Sequence, residues 1–127
     1  MPVQSIKDMI VYQKAFDLAM RIFELSRGFP ADERYALTSQ IRRSSRSVCL
    51  NLREAWSKRR YEAHFISKLT DCDGENSETE GSLDFAFHCG YISQTIHAEL
   101  SAVNREVGKM LGSMIRNPSP FLLTPDL

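Results

Sequence analysis

The stretch ISQTIHAELSAVNREVGKMLGSM, Ile92–Met114, decides the fold. Its apolar residues Ile92, Ile96, Leu100, Val103, Val107, Met110, Leu111 and Met114 recur at steps of three and four, the spacing that lines one face of an α-helix. Toward the N-terminus, Gly90 closes a helix predicted from about Tyr61 to Cys89, with Phe65, Leu69, Cys72, Asn76, Leu83 and Phe87 inward. The middle of that line is polar for a core face. Gly74 and Gly81 each weaken the helix by roughly 1 kcal/mol relative to alanine, which is tolerable where they let another helix come close.

Helix two is predicted over residues 33–57, with Asp32 as its cap and Leu37, Ile41, Ser44, Val48, Leu52 and Ala55 inward. The turn at Ser57–Arg60 holds neither glycine nor proline; it is placed there because an unbroken helix from 33 to 89 is implausibly long. Helix one, 6–27, opens on a capping pair, Ser5 and Asp8. Its inward stripe reads Tyr12, Phe16, Ala19 and Phe23, and Gly28 supplies a left-handed stop before Phe29-Pro30. A second line, Val11, Leu18 and Leu25, repeats every seven residues and reads as either a wide buried face or a subunit contact. Beyond helix four, 92–116, the tail 117–127 holds three prolines and is expected to be irregular, with Phe121, Leu122 and Leu123 available to a neighbour. No segment alternates apolar and polar residues, so the expectation is an all-α four-helix bundle, one domain over 1–127.

Composition narrows the function. With 127 residues the chain can bury a core without metals or disulfides. Sixteen basic and 16 acidic residues balance to zero, which removes the global pull of a dedicated nucleic-acid binder and favours self-association. Cys49, Cys72 and Cys89 are spaced for no zinc motif and are expected to be reduced core thiols. No apolar run approaches the ~20 residues that span a bilayer, and no secretion signal is visible, so a cytoplasmic chain without a membrane partner is expected.

The strongest chemical pattern is charge. From Thr38 to Arg60 there are seven basic residues and one acid; from Asp71 to Asp84 there are six acids and no base. Arg42, Arg46, Arg53 and Arg60 follow steps of four, seven and seven and share one helix face, a ladder able to grip phosphates. The matching acids nearby favour pairing of helix two with helix three instead, in the same subunit or the next. A parallel line, Gln40, Arg43, Ser47, Asn51 and Glu54 with Glu78 opposite, is expected to be a buried hydrogen-bond network or the lining of a small site. His64, His88 and His97 form no pair three or four apart, and Glu78, Glu80 and Asp84 offer at most a weak cation site. With no nucleophile motif and no glycine-rich phosphate loop, the reading is a non-enzymatic self-assembling scaffold, without cofactor or metal. The alternative is a module that binds structured RNA through the arginine face.

Ile10–Ala15, Phe29-Pro30, Glu33-Arg34, Leu37–Arg43, Ser47-Val48, Asn51-Leu52, Glu54, Gly74, Glu78, Leu83, Ala86 and Gly90-Tyr91 together resemble the four-helix-bundle proteins encoded in intervening sequences of bacterial 23S ribosomal RNA genes. The resemblance spans about residues 8 to 116. It implies an antiparallel up-and-down bundle, a ring-like homopentamer and no known enzymatic activity. A related branch, the accessory proteins of diversity-generating retroelements, is strongly basic, unlike this chain. Cys49, Arg53, Ala55, His64, Lys68 and Glu75 depart from the family pattern.

Overall fold

Apolar side chains at helical spacing draw four segments together: α1 (Ile10–Ser26), α2 (Leu37–Ser57), α3 (Glu62–His88) and α4 (Gln94–Arg116). The computed structural model describes residues 3–123, and no strand occurs among them. Contacts close a circuit from α1 to α2, α3, α4 and back to α1. Facing residues run in opposite order on each neighbouring pair. Tyr12 meets Arg53 while Ser26 meets Arg42; Ser44 meets Thr79 while Glu54 meets Lys68. Asn76 meets Asn104 while Asp84 meets His97; Lys14 meets Glu106 while Arg21 meets Glu99.

The interior consists of two apolar clusters. One gathers Val11, Tyr12 and Ala15 with Val48, Leu52, Phe65, Leu69, Val107 and Leu111. The other gathers Leu18 and Ile22 with Leu37, Ile41, Leu83, Ala86 and Leu100. Each fully buried leucine or phenylalanine contributes about 1.5–3 kcal/mol relative to exposure. Between them, in sequence and in space, lies a buried polar waist of Ser44, Asn76, Thr79, Ser101 and Asn104. Thr79 Oγ1 donates to Ser44 Oγ at 2.8 Å and to the Glu75 carbonyl at 2.9 Å. Asn76 Nδ2 donates to the Asn104 carbonyl at 2.9 Å, and Asn104 Nδ2 returns bonds to the Asn76 carbonyl and Oδ1 at 3.0 and 3.1 Å.

Helix ends depart from expectation where local chemistry differs from its sequence signature. Asp8 Oδ2 accepts from the Gln4 and Ser5 amides at 2.9 and 3.0 Å, but this box opens a three-residue 3₁₀ turn, Ile6–Asp8, and α1 begins at Ile10. Asp32 lies in a second such turn, Ala31–Glu33, so it does not cap α2. Gly28 is not left-handed: among the described residues only Gly90, at φ 80°, has positive φ. There the Tyr91 amide reaches back to the Ala86 carbonyl at 2.8 Å. Of the four helices only α4 is capped by its own N-cap side chain, Ser93 Oγ accepting from the Ile96 amide at 3.1 Å; at α2 the Leu37 amide donates to Glu33 Oε1 at 3.4 Å.

Three other expectations are corrected. Val11 and Leu18 are buried within the chain and Leu25 packs on the second cluster, so of the two readings of this line the wide buried face holds and the free subunit contact does not. The α1 stripe is rotated to match, leaving Phe16 exposed and Phe23 half-buried. Gly74 and Gly81 meet no neighbour: a Cβ at either would find nothing within 4 Å, and the close approach occurs instead at Gly108, where a Cβ would stand 3.3 Å from Asn76 Nδ2. In the tail, Phe121 and Leu122 pack on the chain's own first cluster, and the Leu123 amide donates to the Arg59 carbonyl at 3.1 Å. The outer tail, residues 124–127, lies outside the described residues.

Candidate interaction face on the first two helices

The groove between α1 and α2 is where the arginine ladder lands. Arg42 Nε donates to Ser26 Oγ at 2.7 Å, and its guanidinium lies 4.8 Å from the Phe23 ring centroid. Arg53 repeats the arrangement: Nε donates to the Tyr12 hydroxyl at 2.9 Å, and the guanidinium lies 5.2 Å from the Tyr12 ring. Arg46, between them, lies 5.6 Å from Phe23. Each anchor uses only Nε, so the terminal amino groups of Arg42 and Arg53 remain free for a planar, two-toothed acceptor such as carboxylate or phosphate. Cation–π attraction to the rings helps hold the guanidinium groups in place. Arg60 falls beyond the last residue of α2, in the exposed turn, and leaves the ladder.

Within one chain the arginines do not pair with the acidic stretch of α3. Among the described residues none of Arg42, Arg46, Arg53 and Arg60 forms an ion pair with a carboxylate of that stretch or of any other part of the chain. The α2–α3 seam is tied instead by Arg43 to Glu75 and Glu78, at 3.6 and 3.1 Å, and by Lys68 to Glu54 at 2.9 Å. The reason is helical phase: Arg43 is one residue on from Arg42 and projects toward the opposite flank. The same phase corrects the expected buried network. Gln40, Arg43, Glu54 and Glu78 are exposed, while Ser47 and Asn51 are half-buried, with Asn51 Nδ2 donating to the Ser47 carbonyl and Oγ, both at 3.0 Å. This line is a surface seam; the buried polar groups sit one flank inward, in the waist. Polar residues within the inward lines of helices two and three, Ser44 and Asn76, carried that signal.

Glu75 lies under this seam with Oε2 buried and unpaired. Loss of hydration, then the neighbouring Glu78 carboxylate, raises its pKa, and Arg43 opposes the shift only in part. Cys49 and Cys72 are buried, and burial pushes their thiols up to about 11 and about 12, which suppresses the nucleophilic thiolate. Cys89, expected in the core, is exposed at the end of α3. His97 Nε2 sits 2.8 Å from Asp84 Oδ1. No group of three or more potential metal ligands gathers among the described residues, and no helix there is long and apolar enough to cross a membrane.

Large apolar side chains flank the arginines. Phe16 and Met20 on α1 are 47% and 48% exposed, and Leu50 on α2 is 61% exposed. A hollow of about 610 Å³ opens where Tyr12, Phe16 and Arg53 meet Lys7, Gln13 and Asp17. A second, of about 600 Å³, is lined by Tyr35, Arg42, Arg46 and Leu50 among others. Bases, aromatic rings and aliphatic chains on one open surface are the composition of a recognition face.

The family model described as 23S rRNA-intervening sequence protein matches residues 7–113. The chain belongs to that family. The expected resemblance is therefore established over nearly the whole helical part of this intervening-sequence protein. It is also similar to the crystal structure of a protein with unknown function from the S23 ribosomal protein family of Bacteroides thetaiotaomicron, with 29% identity and a TM-score of 0.77, covering 85% of this chain and 96% of that one. No curated protein matches the sequence.

Proposed function

We propose that this intervening-sequence protein is a non-enzymatic scaffold, a single-domain antiparallel up-and-down bundle of the bacterial cytoplasm that joins with copies of itself. The observation that carries the reading is the exposure of Phe16, Met20 and Leu50 on the two helices that carry the free arginines, apolar surface that a partner would cover. Zero net charge places no electrostatic barrier between copies. Family resemblance adds the ring of five as the expected closed form. Light scattering at micromolar concentration tests it: a particle several times the 14.5 kDa chain mass is expected, and a monomer overturns the reading.

A second reading has its own support: Arg42 and Arg53 are held through Nε with their outer amino groups free, as contacts to phosphate oxygens require. On that reading the face binds structured RNA. R46E/R53E then abolishes binding, and the wild-type affinity falls steeply with salt. Equal retention of RNA by wild type and variant removes this alternative.

A further inference from the structure

Two faces of the chain carry unmatched charge of opposite sign at the same spacing. On the α1–α2 face, Arg46 and Arg53 stand seven residues apart with no carboxylate partner among the described residues. On α3, Asp73 and Glu80 also stand seven residues apart, exposed, and form no ion pair among the described residues, whereas Asp71, Glu75, Glu78 and Asp84 are engaged. Seven helical residues rise about 10.5 Å, so the two pairs have equal reach.

The surface between those acids and the α2 flank is smooth. Ala63, Ser67, Thr70, Gly74, Ser77 and Gly81 follow steps of four, three, four, three and four along the outward side of α3. Asp73 and Glu80 each lie three residues past a position of this seam, and Phe85, 67% exposed, stands at its end. Glycine inside a helix is costly, and no contact within the chain requires it at 74 or 81, where the space is open. Small residues at heptad spacing let a second helix lie close.

We infer that the α1–α2 face docks on the outward side of α3 of a second copy, with Arg46 and Arg53 opposite Asp73 and Glu80 and with Phe16 and Met20 against the glycine seam. This rests on the self-assembly reading and names its two surfaces. Because the surfaces differ, the contact is head-to-tail: each copy offers both halves, and the series closes as a ring or runs on. A second copy fits better than RNA, because the counter-charge and the smooth seam occur on the same chain at matching spacing.

The test uses two full-length variants, each spoiling one surface: G74Q/G81Q, and R46E/R53E. Sedimentation velocity is read alongside circular dichroism as the check on folding. Wild type is expected to assemble and each variant to sediment as a monomer. An equimolar mixture of the two is expected to form a dimer and nothing larger, since only one good pair of surfaces remains. S77W spoils the same seam without touching a glycine and is expected to be monomeric, which keeps the question answerable should the glycine variant fail to fold. Variants that assemble like wild type overturn the assignment of surfaces while leaving self-assembly standing. A mixture that stays monomeric overturns the head-to-tail contact. RNA retention lost in R46E/R53E with assembly intact gives the face to RNA instead. A monomeric wild type overturns both this inference and the scaffold reading.

Discussion

Single residues in the waist do work that larger apolar neighbours cannot. Asn104 is fully buried and its amide nitrogen serves two acceptors on Asn76, so truncation strands both acceptors in a dry interior. Asn104→Ala is expected to lower stability by about 1–3 kcal/mol, read as a shift of the urea midpoint with unchanged slope. An unshifted midpoint would mean that water replaces the amide. The arginines teach a related lesson about phase. Arg42 and Arg43 are adjacent and equally basic, yet one is anchored to Ser26 against α1 and the other pairs with Glu78 on α3. Counting charges between Thr38 and Arg60 against those between Asp71 and Asp84 foretold that pairing exists; it misassigned the arginine, because one step along a helix turns a side chain by about a quarter of a circle.

Elements were legible where apolar residues repeat and poorly legible at their ends. The line Ile92 to Met114 predicted a helix over 92–116, and α4 is Gln94–Arg116. The turn at 57–60 has no glycine or proline to mark it and is legible mostly from the length an unbroken helix would need, and α2 does end at Ser57. At the start of α1 the Ser5–Asp8 box is real but serves a 3₁₀ turn, a distinction of one hydrogen bond that residue type does not encode. The core face of α1 was misread because aromatic and aliphatic lines run side by side there: Phe16 and Phe23 are larger, yet Val11 and Leu18 go inside. Capping also varies between elements. Ser93 is the one N-cap residue of the four helices whose own side chain accepts a first-turn amide, so Ser93→Ala is expected to cost about 1 kcal/mol, lowering the thermal midpoint by a few degrees. A change at Tyr61, which precedes α3 without a side-chain cap, is expected to leave that helix start unaffected.

Across the whole molecule, the two connections at one end are tied together. The Tyr91 hydroxyl, after α3, donates to Glu33 Oε2, before α2, at 2.8 Å, and the Tyr91 ring lies 5.4 Å from Phe29. The hydrogen bond to Glu33 favours the neutral phenol and pushes its pKa up to about 12 from 10. Between those values the folded chain keeps a proton that the unfolded chain loses, so stability falls as pH rises from 10 toward 12. Alkaline titration of phenolate absorbance is expected to show one delayed tyrosine, absent in Tyr91→Phe. A delayed step that persists in that variant belongs to another residue. At this scale composition was half informative: a balance of 16 against 16 hides the segregation of charge that gives the chain two unlike faces.

The waist has one further consequence. A slide of α4 by a single turn along α3, about 5.4 Å, would carry Asn104 away from Asn76 toward Cys72 or Glu80, abandoning three bonds at once. Leucine and valine above and below would tolerate the slip; the paired amides do not. The two helices therefore behave like a vernier with a single setting, so heating should melt the pair outright before it lets them creep.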